Sequence, residues 1–521
     1  MFPSLATALQ VVSYAIFLAM SSTTTDKNQP SDPNINKGSV DMLQLSARSA
    51  SKEMSEGRIT AEELMIATLD RIEKLNPKYK AIHSLRSRSE LINEAKRCDQ
   101  QNNKLSNQGK LCGIPIAIKD LSNAAGLPTT MGGSPLHYFN YPSESDLFVQ
   151  RIQEEGAIVI GKTNAPELGL GSHTYNRRWG ITRNAYDPNK SAGGSSGGAA
   201  AALATRMLAI ADGSDMMGSL RNPAGWNNLY SHRPTAGIIE DNSPPNPTNP
   251  LPYPISTVGP MARSPLDLAL LLEVMATPKS FNAAEVADKP SVEGMRIAWL
   301  GNAIDYPVEN GILNLCRSAL HSFSDIGVTI DDLNDPVFDS QELWKSWTTI
   351  RSKIVSTSFP LPAPLLRLLL PLIPVREELK WEVQRGLNIS EGECAEAAKI
   401  AATWSKHLEE VLFEKYDALA LPTAQTWAFP AEWKFPQEIG GKHMDTYHRW
   451  MEIVLPGSLA GLPCTTIPAG FAEDDEGRRT NRCMGIQLLG KRESDAKLLN
   501  IAQAYHGVAD WPSAVQPPLV V

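Results

Sequence analysis

Cysteine is scarce in this chain: six in 521 residues (Cys98, Cys112, Cys316, Cys394, Cys464 and Cys483), with no Cys-x-x-Cys pair. A chain of this length can bury a core without a disulfide framework, so free, partly buried thiols are expected. The nine histidines include no His-Glu-x-x-His, and His443 and His448 stand five apart, off the spacing of one helical face. No metal site follows from them. Basic excess is missing too: 49 Lys and Arg against 57 Asp and Glu leave a net charge of −8, which argues against a nucleic-acid binder. There is no internal repeat, and no unbroken apolar run reaches the roughly 18 residues of a membrane-spanning helix.

The first 22 residues carry no charge and include VVSYAIFLAM, and a polar stretch, Ser21 to Gly38, follows. A positive n-region is lacking, so residues 1–40 read as a leader, either signal peptide or disordered tail. Localisation, cytoplasmic or secreted, is left open. A second apolar segment, Phe359 to Val375, contains Arg367 and is broken by Pro371 and Pro374, so it cannot cross a bilayer in one piece. Two readings of it stand: a buried helix-turn packed on the core, or an apolar lid, membrane-facing patch or dimer contact beside a substrate mouth. Asn388-Ile389-Ser390 matches the glycosylation sequon, a triplet common by chance.

What is present is ordinary for a globular enzyme, with 42% hydrophobic and 20% charged residues. No linker divides Val40 to Ser513, so residues 41–515 are expected to form one large α/β domain. Met42 to Leu75 has helical periodicity, with Thr60-Ala61-Glu62-Glu63 as a capped start. Ile114 to Ile118 and Ala157 to Ile160 are short β-branched runs bounded by glycine, which predicts buried strands. Ala199 to Ala211 predicts a small-residue helix able to pass close beneath an active site. Strands alternating with helices point to a layered α/β architecture. Asn242 to Pro254 is proline-rich loop, and the middle, about Thr277 to Asp417, is mostly helical by pattern.

Chemistry concentrates in Ser191 to Arg221, SAGGSSGGAAAALATRMLAIADGSDMMGSLR, where glycine-cushioned Ser195 and Ser219 stand 24 positions apart. Glycine beside a serine lets the backbone approach a reacting group closely. Upstream, GIPIAIKD is an apolar strand ending on Lys119. A lysine buried at a strand end can lose its proton and act as a base. Singly, each feature has a plainer explanation: GGSSGG as a linker or phosphate turn, Lys119-Asp120 as a solvated pair, Ser219 beside Arg221 as a helix cap. Together they suggest a Ser/Ser/Lys nucleophilic arrangement. Cys464 reads as core rather than as a nucleophile.

This ordered set resembles the amidase signature family of serine hydrolases. The resemblance continues through GLPTTMGGS, GAIVIGKTNAPELG, RWGITRNAYDP and HRPTAG, then LALPTA, PGSLAGLPCTTIPAGF and MGIQLLGK. It covers about Ser46 to Leu270 and Ala418 to His506 and is weakest between them. It implies one α/β/α domain around a mixed central sheet covered by helices. It also implies Ser219 as nucleophile, Ser195 as bridging serine held by a cis peptide bond, and Lys119 as base. Ser196, Asp215 and Arg221 would support them, and the backbone N–H groups of Met216, Met217, Gly218 and Ser219 would meet the oxyanion. The implied reaction is hydrolysis of a carboxylic amide C–N bond through an acyl-enzyme, with no cofactor or metal. The implied partner is a small amide, neither nucleic acid nor nucleotide, with a homodimer and membrane contact left open. The alternatives are an amidotransferase-type subunit, or a catalytically silent ligand-binding relative. In some members the middle region shapes the acyl pocket, so apolar substrates come within range.

Three positions depart from the family pattern. Met217 takes the first of two glycines before Ser219, Arg233 replaces a lysine, and Ala185 stands where proline often follows Asn184. A side chain at 217 is expected to narrow the pocket and, if that glycine's φ is positive, to strain the turn. Gly156 to Thr163, GAIVIGKT, formally matches a phosphate-binding loop. Its middle residues are Ala, Ile, Val and Ile, which read as a buried strand and not as a loop offering amides to phosphate.

Overall fold

Thr60 opens helix α1 (Ala61–Tyr79) with a closed capping box: its hydroxyl accepts the Glu63 N–H and the Glu63 carboxylate accepts the Thr60 N–H. Leu64, Met65, Leu69, Ile72 and Leu75 recur at helical spacing and are buried. A separate short helix, Ala47–Ser55, precedes it, so the periodicity beginning at Met42 is divided at Gly57, whose φ is +69°. The computed structural model describes residues 41–102, 109–240, 246–359 and 361–519. From Met42 onward they form one unit; the expected leader lies outside the described residues.

The two runs expected as strands are β1 (Pro115–Lys119) and β2 (Ile158–Thr163), every residue of which is buried. They pair in parallel, from Pro115 opposite Ile158 to Lys119 opposite Thr163, and Ile82–His83 adds a short antiparallel edge. The GAIVIGKT segment is thus interior strand, its Lys162 inside the protein.

A second, mixed sheet is built from β3 (Ile210–Asp215), β4 (Tyr230–Arg233), β5 (Thr257–Ala262), β6 (Arg296–Trp299), β7 (Thr329–Asp332), β8 (Ala418–Pro422), β9 (Cys464–Glu473) and β10 (Arg479–Leu489). Their spatial order is β7-β6-β8-β10-β9-β4-β5-β3, parallel among the first three and antiparallel thereafter. The large apolar cluster running through the molecule draws on both sheets and the helices around them, as expected for an α/β class protein.

Two expectations need correction. The small-residue helix is only α2 (Gly197–Ala204) and does not continue to Ala211. Arg206 turns left-handed at φ +60°, and Ile210–Asp215 then takes the hydrogen bonds of β5 as edge strand β3. Helical composition yields to ladder pairing, a long-range term that a local pattern cannot contain. The middle region also does more than supply helices, because β6 and β7 extend the main sheet from within it.

After helix α3 (Pro265–Met275), the rest of that region includes α4 (Ser340–Thr357), α5 (Ala363–Leu369) and α6 (Glu377–Asn388). The apolar segment is part core and part surface, divided between different faces of α5 and the turn after it. Leu366, Leu370 and Val375 are buried in a satellite cluster with Leu170, while Leu365, Leu368 and Leu372 face out. Among the described residues no helix is long and apolar enough to cross a membrane.

Between α4 and α6 lies a buried ion pair, Arg351 Nε to Glu382 Oε1 at 2.7 Å, joined by the Tyr447 hydroxyl. Removing one member leaves an uncompensated buried charge. Glu382→Ala is expected to lower unfolding free energy by about 3 kcal/mol in urea titration. A loss under about 1 kcal/mol would show that the pair is not holding α4 to α6.

Candidate active site

The serine-rich segment and the end of β1 meet at one place. Lys119, last residue of β1, is 1% exposed, and its N–H donates to Asp212 Oδ1 on β3 at 2.9 Å, tying the two sheets together. Its Nζ lies 2.8 Å from Ser195 Oγ, 2.8 Å from Ser196 Oγ and 2.9 Å from Ser214 Oγ. Burial pushes the Lys119 ammonium down to about 7, against the opposing pull of Asp212 and Asp215. A lysine in this state can hold or release a proton near neutral pH.

Ser195 sits just before α2, and the Gly194–Ser195 peptide is cis. Glycine is required where this segment meets its neighbours: a Cβ on Gly198 would fall 2.3 Å from the Asn164 nitrogen. Ser196 holds the other side of the lysine, its hydroxyl accepting the Ser214 N–H at 3.3 Å.

Ser219 follows β3 in a tight turn organised by Asp215. The Asp215 carboxylate accepts N–H groups of Gly218 (2.8 Å) and Leu220 (3.1 Å) and both Nε and a terminal nitrogen of Arg221 (3.0 and 2.9 Å). Burial alone would raise its pKa, but the charge and hydrogen bonds of Arg221, with Arg233 beyond, hold it well below the usual carboxylate range. Arg221 in turn reaches Val454 O, Gln487 Oε1 and Ser458 Oγ. Arg233 retains a cation where the family pattern has lysine, 3.8 Å from Asp215 Oδ1.

Two site expectations change here. The Gly218 N–H points at Asp215, so it is not free to meet an oxyanion. Among the described residues the N–H groups of Met216, Met217 and Ser219 have no hydrogen-bond acceptor. Positive φ belongs to Gly218 (+81°) and not to Met217. Nor does Met217 narrow the cavity: it is buried, and its sulfur accepts the Trp347 indole N–H at 3.2 Å and contacts Arg351 at 3.5 Å, both on α4. Its neighbour Met216 faces the cavity instead.

That cavity measures about 430 Å³ and exposes both Ser195 and Ser219. Leu121, Phe148, Leu168, Leu170 and Val258 supply apolar wall, and Asn123 and Asp146 supply polar groups. No hydrogen bond joins the Ser195 and Ser219 hydroxyls directly among the described residues. A larger groove of about 1060 Å³, lined by Lys110, Arg151 and Glu273, contains none of these groups and is less suited to the chemistry despite its size.

Sequence reasoning missed Ser214 and Asp212. The available signal was their place in IADGSD, a strand in which Asp212 is buried and Ser214 half-buried, positions a polar side chain takes when it faces a polar or charged partner. It also missed Trp347 and Arg351, which reach the site only through tertiary packing.

The amidase family profile matches residues 63–499. The chain belongs to this family. It is 29% identical to an acylamidase of Rhodococcus erythropolis, covering 90% of this chain and 96% of the relative. It is 30% identical to one component of the glutamyl-tRNA(Gln) amidotransferase of Thermosynechococcus vestitus, covering 87% of this chain and 95% of that component. A bacterial aryl acylamidase of the amidase signature enzymes has the same fold, with a TM-score of 0.79 at 23% identity over 90% of this chain and 97% of that one.

In this amidase, Gly218→Ala would force a side chain onto a left-handed residue and within 2.9 Å of Val454 Cγ1. The expected result is a loss on the order of 10²-fold in the labelling rate of Ser219 by a fluorophosphonate. Labelling at the wild-type rate would mean that the turn is not what presents the serine.

Proposed function

We propose that the protein hydrolyses carboxylic amides, with Ser219 as nucleophile, Ser195 as proton bridge and Lys119 as base. The observation that carries this reading is the buried 2.8 Å contact between Lys119 Nζ and Ser195 Oγ, beside a cavity that also exposes Ser219. Neutral Lys119 accepts the Ser195 proton as Ser195 accepts that of Ser219, and Ser219 Oγ bonds to the amide carbonyl carbon. Backbone N–H groups of Met216, Met217 and Ser219 are the donors for the resulting oxyanion. The proton then returns along the same path to the leaving nitrogen, the C–N bond breaks, and amine or ammonia departs. Water attacks the Ser219 ester, its proton passing to the relay and back to Ser219, and the carboxylate leaves.

The apolar wall from Leu121, Phe148, Leu168, Leu170, Met216 and Val258 supports an acyl or amine group that is largely apolar. Relatives named as components of glutamyl-tRNA(Gln) amidotransferases support a second reading, in which the same relay releases ammonia to a partner protein. Turnover of simple amides by the purified chain alone separates the two.

Intact-protein mass spectrometry after fluorophosphonate treatment is expected to show one adduct on wild type and none on Ser219→Ala. No adduct on folded wild type overturns the nucleophile assignment. Because Lys119 must be unprotonated and titrates at about 7, kcat/KM on a responsive amide is expected to rise through neutrality to an alkaline plateau. A profile flat down to about pH 5 is incompatible with lysine as base.

A further inference from the structure

Strand β3 carries a carboxylate that faces the base from behind. Asp212 is wholly buried; its Oδ1 accepts the Lys119 N–H at 2.9 Å, and its Oδ2 has no hydrogen-bond partner. A buried carboxylate oxygen without a donor is costly unless charge of opposite sign faces it. Burial pushes the Asp212 carboxyl up to about 6, against the opposing pull of the Lys119 N–H and of the two buried lysines that face it, Lys162 and Lys119.

The surrounding charges separate into pairs. Asp215, the other carboxylate acting on Lys119, is already satisfied by Arg221 and Arg233. Lys162 donates to Ser122 O and to Thr129 Oγ1 at 3.3 Å, and it faces Asp120 and Asp146 as well as Asp212. His83 stands 3.5 Å from Asp120, held neutral first by burial and then by Lys162 and Arg178. Among the described residues no arginine bonds to Asp212, so its charge is the one left to balance Lys119.

We propose that Asp212 is a positioning residue for the base: it fixes the strand end from which the Lys119 side chain departs, and its charge stabilises the ammonium that forms there when Ser195 gives up its proton. This inference rests on Lys119 being the base. A cation created on a buried amine gains more from a counter-charge already in place than one exposed to bulk solvent. Lys162 moderates the effect by drawing on the same carboxylate from the other side.

The test is the pH dependence of fluorophosphonate labelling at Ser219 for wild type, Asp212→Asn and Lys119→Ala, with thermal melts as a check of folding. Asparagine keeps an acceptor for the Lys119 N–H, removes the charge and puts an amide nitrogen in place of Oδ2. The acid limb of Asp212→Asn is expected to move down by about one pH unit, because an ammonium without its counter-charge loses its proton more readily. The alkaline plateau is expected to fall about tenfold, because the amine is then a weaker base. An acid limb that stays in place overturns the inference whatever the plateau does.

Lys119→Ala separates this failure from that of the reading beneath it. Labelling at the wild-type rate there removes the base assignment and the role of Asp212 with it. A silent Lys119→Ala beside an unmoved Asp212→Asn limb removes Asp212 alone. If Asp212→Asn does not fold, Lys162→Met carries the test with opposite sign. Removing the competing cation is expected to shift the limb upward, and no shift overturns the inference.

Discussion

Asp215 is the group on which the site's geometry depends. One fully buried carboxylate binds Arg221 through two nitrogens and gathers the Gly218 and Leu220 N–H groups around itself. A buried charge pair of this kind is weak support for stability in general, since desolvation consumes much of the Coulomb gain. It is strong support for one backbone shape, because every alternative strands an ion. The turn carrying Ser219 is therefore held from beneath by electrostatics, and Arg221 extends the hold to Val454, Ser458 and Gln487.

A second constraint acts on Lys119 in the opposite sense. Burial weakens its hold on a proton, while three hydroxyls, from Ser195, Ser196 and Ser214, accommodate its Nζ in either protonation state. Asp215 and Lys119 are thus both buried ions in neighbouring strands, yet their surroundings drive them apart. The carboxylate is locked in its charged form by arginines, and the amine is balanced near neutrality. One group gives a fixed scaffold and the other a titratable one.

The middle region, residues 277–417, also reaches the site. Trp347 and Arg351 of α4 hold the sulfur of Met217, so a side chain standing where the family has glycine is accommodated outside the cavity, and the backbone beside Ser219 keeps its course. Leu366 and Leu370 pack with Leu168 and Leu170, two residues of the cavity wall. Through these contacts the middle region contributes to the shape of the pocket, while the hydroxyls and the amine come from β1, β3 and the serine-rich segment.

Much of this was legible beforehand where the information was local. The capping box at Thr60, the buried runs that became β1 and β2, and the glycine-flanked serines are short-range patterns whose physics lies within a few residues. The α/β class and family membership followed from motif order. The end of α2 at Ala204 was not legible, because the pairing partner of β3 lies some 50 residues away at Thr257–Ala262, a separation read from the register. Nor could spacing show that Met217 turns toward α4, that Gly218 gives its N–H to Asp215, or that Asp212 stands between two lysines. Sequence by itself determined which chemical groups the site contains, since reactivity belongs to residue type and nearby backbone. Tertiary structure alone decided which of them are dry, charged and in contact, because burial and electrostatic pairing are properties of neighbours that only folding supplies.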